Sequence, residues 1–182
     1  MNTVVLCGAE EGQETVHTLF DVLHAAGFGV LYVTERSASF LQPAADADFL
    51  VLDNPSLREV NAPCGVALFR AQAPEKRPRL PAGFFAVVDS DDPVAAALGN
   101  AGFGTVLCGH SQKDTVTFSS IGSENAVVSL QRGLATLQGG EAGPVEVPVA
   151  FARPRGSYAL LAAVAVVLLS GKALPEAGLV LP

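Results

Sequence analysis

The chain has 182 residues, 49% of them hydrophobic and 16% charged, with a mean hydropathy of +0.39; this excludes extensive disorder and predicts one domain over residues 1–182 with a sizeable core. Eleven Lys and Arg against eighteen Asp and Glu leave a net charge of -7 and a pI near 4.8, so no nucleic-acid partner is expected. The longest apolar run, Tyr158 to Leu169, falls short of the roughly 18 to 20 residues that a spanning helix needs, so no membrane partner is expected either.

Met1-Asn2-Thr3 runs directly into Val4 to Cys7 without a basic stretch or a cleavage site, and the three Cys are too few for a disulfide scaffold. The expectation is a cytoplasmic protein with reduced thiols. Thr3 to Cys7 is a predicted strand, followed by a Gly-containing loop and a helix from about Thr15 to Ala26. In that helix Val16, Leu19, Phe20 and Leu23 form one apolar stripe, and Gly27 stands at the C-terminal cap. Further strands are predicted at Gly29 to Thr34, Phe49 to Asp53, Gly65 to Arg70, Phe84 to Asp89 and Thr105 to Cys108. Their apolar residues are continuous rather than alternating, the pattern of parallel strands covered on both faces.

Ala71 to Pro81 holds Pro74, Pro78 and Pro81 among Lys76, Arg77 and Arg79 and reads as a solvent-facing loop. Asp92 and Pro93 suit the N-cap and first position of a short helix. Thr115 to Ile121, Ala126 to Gln131 and Val145 to Ala150 are rich in Thr, Val and Ser and are predicted to be antiparallel strands. A helix from about Ser157 to Ser170, apolar on all sides and ended by Gly171, should lie buried between layers. The expected fold class is α/β: a Rossmann-like, mostly parallel sheet flanked by helices, with a few antiparallel strands in the C-terminal third.

Ligands of open α/β sheets bind beyond the carboxyl ends of the strands, which here means the loops Gly8 to Gln13 and Gly109 to Lys113. Cys7, Cys108 and His110 would form a thiol or metal site if they converged; the favoured reading is that both Cys are small buried strand-end residues. The stretch Gly8-Ala9-Glu10-Glu11-Gly12-Gln13-Glu14-Thr15 occupies the strand-to-helix position of a phosphate-binding loop. Gly8, Gly12, Gln13 and Thr15 are therefore candidate ligand-binding residues. The loop has no lysine, and Glu10, Glu11 and Glu14 can themselves satisfy the positive end of the helix. Arg153 and Arg155, like the cations of the Pro-rich loop, are candidates for a small anionic ligand or a protein partner, although a solvated surface explains them equally well.

The segment Val4 through Gly27 is similar to a strand, a G-T-x-G-K-T loop and a helix followed by an A-A-G turn, here Ala25-Ala26-Gly27. Phe84 to Asp89 with Ser90-Asp91-Asp92-Pro93 is similar to a strand leading into N-x-D-D-P, and Thr105 to Gly109, Asp114 to Ile121 and Leu161 to Ala165 with Gly171 follow in the same order. By these motifs the chain resembles the central ATP-binding domain of the Mur ligases, the amide-forming enzymes of peptidoglycan synthesis, whose superfamily includes folylpolyglutamate synthases. The resemblance puts Gln13 where the family has its phosphate-contacting lysine, and Arg155-Gly156 and Ala159 where it has a His-Asn pair and an adenine-contacting Asn. It puts Asp53 at a metal-binding acid, as Asp in place of Glu, and Ala71 to Pro81 in place of a longer segment carrying a metal-binding His and a modified Lys. What it implies is a stand-alone, degenerate member without the flanking domains. Such a chain would be non-catalytic, with neither ATP nor Mg as an expected cofactor, and would act as a binding or assembly module and homodimer. The alternatives are a nucleotide- or phosphate-binding protein, or a subunit of an ATP-dependent amide ligase completed by another chain.

Overall fold

The computed structural model describes residues 1–10, 13–41, 46–70, 78–100 and 103–182. In chain order the elements are β1 (Asn2–Cys7), α1 (Glu14–Ala25), β2 (Val30–Thr34), β3 (Ala38–Leu41), β4 (Phe49–Asp53), β5 (Gly65–Phe69), β6 (Phe84–Asp89) and α2 (Val94–Asn100). There follow β7 (Gly104–Cys108), β8 (Val116–Ile121), β9 (Asn125–Leu130), β10 (Leu134–Ala135), β11 (Glu141–Ala142), β12 (Val145–Phe151), α3 (Ser157–Leu169) and β13 (Leu179–Leu181). Eleven strands form one sheet in the order β13-β12-β9-β8-β7-β6-β5-β1-β4-β2-β3, and β10 and β11 form a separate ribbon. Pairing is parallel from β2 through β4, β1, β5, β6 and β7 to β8. It is antiparallel between β2 and β3 and along β8, β9 and β12.

β1 is buried along its whole length because both of its faces are covered. Val4 and Leu6 point into a core shared with α1 and α3, whereas Val5 and Cys7 point into a second core with Val60 and with Leu98 of α2. α1 presents Val16, Leu19, Val22 and Leu23 to the first core. It stops where Gly27 adopts φ 81 and the N–H groups of Gly27 and Phe28 turn back to the carbonyls of His24 and Leu23, each at 2.9 Å. This left-handed turn favours glycine, as the sequence predicts. Every residue of α3 from Ala159 to Leu169 is buried. Asp92 Oδ1 accepts from Val94 N at 2.8 Å and so caps α2.

The C-terminal third departs from a purely antiparallel arrangement. β13 lies parallel to β12, with Val149 opposite Leu179, and α3 is the crossover between them. β3, β10, β11 and β13 are four short strands that the sequence pattern did not predict. No helix among the described residues is long and apolar enough to cross a membrane.

Candidate functional site

After β1 the chain moves to one side, through β2, β3 and β4, and then returns to place β5 on the other side of β1. The carboxyl end of β1 is thus the switch point at which open α/β sheets form their crevice. A cleft of about 560 Å³ opens there, lined among others by Glu10, Thr15, Arg70, Asp89, Asp92 and Tyr158. A second, of about 410 Å³, lies on the other side of the loop and includes Gly8, Gln13, Tyr32 and Asp53. Glu10 and Arg70 line both.

The start of α1 is engaged by the protein's own acid. Glu10 Oε2 accepts from Thr15 N and Glu10 Oε1 from Thr15 Oγ1, both at 2.9 Å. A carboxylate here is favoured by the exposed N–H groups and by the helix dipole. Glu14 does the same for the other helix start facing the cleft: its Oε1 accepts at 2.5 Å from N of Gly156, the N-cap of α3. A Cβ at Gly156 would lie 2.8 Å from Glu14 Oε2, so a larger residue there would displace the end of the Glu14 side chain from this contact. Gln13 occupies the α1 N-cap in a left-handed conformation, φ 55 and ψ 32, and its side chain makes no capping bond.

Between the two clefts lies a buried ion pair. Arg70 Nη2 meets Asp53 Oδ1 at 2.9 Å and Arg70 Nη1 meets Asp53 Oδ2 at 3.3 Å, while Nη2 also donates to the Gly8 carbonyl. The side chains are 7% and 11% exposed. Tyr32 donates its hydroxyl to Asp53 Oδ2 at 2.9 Å, and burial together with this carboxylate pushes its pKa up to about 12. Tyr158, in the first turn of α3, places its hydroxyl against the carbonyls of Phe69 and Val87, and burial holds its pKa well above the ordinary range. Both phenols therefore stay neutral at physiological pH.

The candidate residues from the sequence separate into groups. Gly8, Gln13 and Thr15 lie at the clefts, and Gly12 lies outside the described residues. Asp53 is at the strand end, as expected, but its carboxylate is neutralised by Arg70. Cys7 and Cys108 do not converge: β5 and β6 stand between their strands, and the two side chains enter opposite cores. Burial pushes the Cys108 thiol pKa up, which makes it a poor nucleophile, and His110 is exposed with its ring 5.8 Å from that of Phe118. Arg153 and Arg155 lie on the flank of α1, where they face Asp21 at 3.6 and 2.7 Å. Arg70 was missed as a site residue. Its only signal in the sequence is a cation at the end of a wholly apolar strand.

No protein-family model matches the sequence, and no curated protein does. Solved structures do match. The MurF ligase of Acinetobacter baumannii superposes with a TM-score of 0.52 over 96% of this chain and 43% of its own, at 15% identity. A bifunctional folylpolyglutamate synthase/dihydrofolate synthase, solved with Mn, AMPPNP and L-glutamate bound, gives 0.54 over 96% of this chain and 55% of its own, at 14% identity.

The chain has a Mur ligase-like fold. A Mur ligase-like enzyme of Neisseria meningitidis, UDP-N-acetylmuramate:L-alanyl-gamma-D-glutamyl-meso-diaminopimelate ligase, matches similarly at 0.53 and 12% identity, over 94% of this chain and 61% of its own. The chain thus spans 43 to 61% of the length of these three Mur ligase-like structures. At the switch-point crevice the N–H and hydroxyl of Thr15 bind Glu10, the nearby Arg70 guanidinium binds Asp53, and Asp89, Asp91 and Asp92 add negative charge to the first cleft. No three His, Cys, Asp or Glu side chains among the described residues group so as to hold a metal ion.

Proposed function

We propose that this chain is a non-catalytic Mur ligase-like module that has lost ATP chemistry and acts in the cytoplasm as a binding or assembly unit. The carrying observation is the Glu10 carboxylate, which takes both the N–H and the hydroxyl of Thr15 at the start of α1. An incoming phosphate would have to displace it. Glu14, Asp89, Asp91 and Asp92 line the same cleft. Two like charges about 4 Å apart repel by roughly 4 kcal/mol at an effective dielectric of 20, and by about 1 kcal/mol in bulk water. Even the screened value, repeated over several carboxylates, offsets what one lysine contributes.

The test is calorimetric titration of ATP with Mg and with Mn, on the wild type and on Gln13→Lys. Neither protein should bind tighter than about 100 µM, on the order of 5.5 kcal/mol. Tighter binding by the wild type sinks the proposal and promotes a nucleotide-binding protein.

A further inference from the structure

β3 (Ala38–Leu41) ends the sheet, so among the described residues one of its two sides has no strand partner. Beside it a cavity of about 400 Å³ opens between this edge and α1, and Phe20, Phe28, Val30 and Leu41 supply its apolar wall. Two polar side chains also line it. Asp21 is ion-paired with Arg155 at 2.7 Å, and His24 is exposed. A free backbone edge and an apolar cavity in one place are the two halves of a strand-addition site, in which main-chain hydrogen bonds give affinity and a side-chain pocket gives specificity.

Register decides what enters the cavity. Leu41 pairs with Val30 and both pack in the core shared with α1, so Ser39 and Leu41 are the residues of β3 on the α1 face. A strand laid along the open side of β3 places the residue opposite Leu41 on that same face, at the cavity. A second copy of the chain does not supply a residue that fits. Antiparallel twofold pairing of two β3 strands keeps both α1 faces on one side, and within Ala38–Leu41 any overlap of more than one residue sets a serine, Ser39 or Ser37 of the copy, opposite Leu41. That side chain is too short to fill the space.

We propose that the β3 edge and this cavity form a docking site for an extended segment of another protein, which adds a strand to the sheet and inserts one large apolar side chain, Phe, Leu or Met, opposite Leu41. Glu35 and Arg36, just before β3, cancel in charge, so the net charge of -7 favours a segment flanked by Lys or Arg. The cavity shares no lining residue with the strand-end clefts, and the site stands whether or not those bind a nucleotide.

The probe is the acetylated and amidated peptide Lys-Thr-Val-Phe-Val-Thr-Lys, titrated into the isotope-labelled full chain with amide shifts reporting position and calorimetry affinity. Expected are saturable shifts at His24, Ser39, Phe40 and Leu41, and binding about tenfold weaker when the Phe of the peptide is replaced by Ser. That comparison leaves the protein untouched, so it does not depend on a variant that folds. Phe40 is 42% exposed, and Phe40→Lys puts a charge on the edge that should also weaken binding about tenfold. Val180→Lys, on the opposite edge, should bind as the wild type. The proposal is overturned by absence of saturation at about 1 mM peptide, by equal affinity for the Ser peptide, or by Phe40→Lys without effect. Shifts centred on Leu179–Leu181, loss of binding in Val180→Lys, or a wild-type dimer paired through β3 that the peptide does not displace overturn it equally.

Discussion

Asp53 ends β4 and Arg70 follows β5, the two strands that flank β1, so their ion pair bridges over the end of β1 and reaches the carbonyl of Gly8. Neither residue announces this in the sequence, because the partnership exists only once both parallel registers are set. Glu10 was legible: it stands where a helix start attracts negative charge and binds Thr15 in α1. Glu14, expected at that same end, instead accepts from Gly156 N at the start of α3, a contact that only the tertiary fold creates. Gln13 was read by position alone, and its backbone conformation was not visible. A non-glycine residue at φ 55 carries strain of about 1 kcal/mol, and Gln13 is exposed with no capping bond to lose. Gln13→Gly should therefore stabilise the protein by roughly 0.5 to 1 kcal/mol. Urea denaturation measures this, and an unchanged or lowered midpoint contradicts it.

At the scale of elements, long apolar patterns were readable and short paired ones were not. β4 and β6 match their predicted spans because continuous apolar runs need no partner to be recognised as buried strands. Ala38–Leu41 and Leu179–Leu181 become strands only by pairing with β2 and β12, a tertiary effect that local composition does not encode. The same pairing explains why α3 is apolar all round: as the crossover from β12 to β13 it is pressed between α1 and the strands from β5 to β8. Val164 sits at 0% exposure in the middle of it. An unpaired carboxylate there costs several kcal/mol, a large part of the about 5 to 15 kcal/mol that holds a domain folded. Val164→Asp should unfold or aggregate; a soluble variant with the wild-type melting temperature would contradict the burial argument.

The whole molecule is a wide sheet with two open edges, β3 and β13. Edge strands are normally blunted by Lys, Pro or a bulge, because their free N–H and C=O groups accept another strand. Ala38–Leu41 and Leu179–Leu181 contain neither Lys nor Pro, and each exposes a large apolar residue, Phe40 at 42% and Val180 at 74%. Both edges therefore favour pairing with a second copy, against a net charge of -7 that opposes it. The local term should win, since the edges themselves are uncharged and the long-range repulsion is screened within about 8 Å at physiological salt. Twofold pairing along one edge closes after two copies and gives a dimer, the commonest symmetric assembly. Light scattering at about 10 µM should report that dimer if its Kd is near 1 µM, on the order of 8.2 kcal/mol. Phe40→Lys and Val180→Lys, made separately, identify the edge: the substitution on the paired strand should yield a monomer with an unchanged melting temperature for the isolated fold, and the other should leave the dimer intact. A wild type that stays monomeric at this concentration, or a dimer that survives both lysines, rules out assembly through the sheet edges.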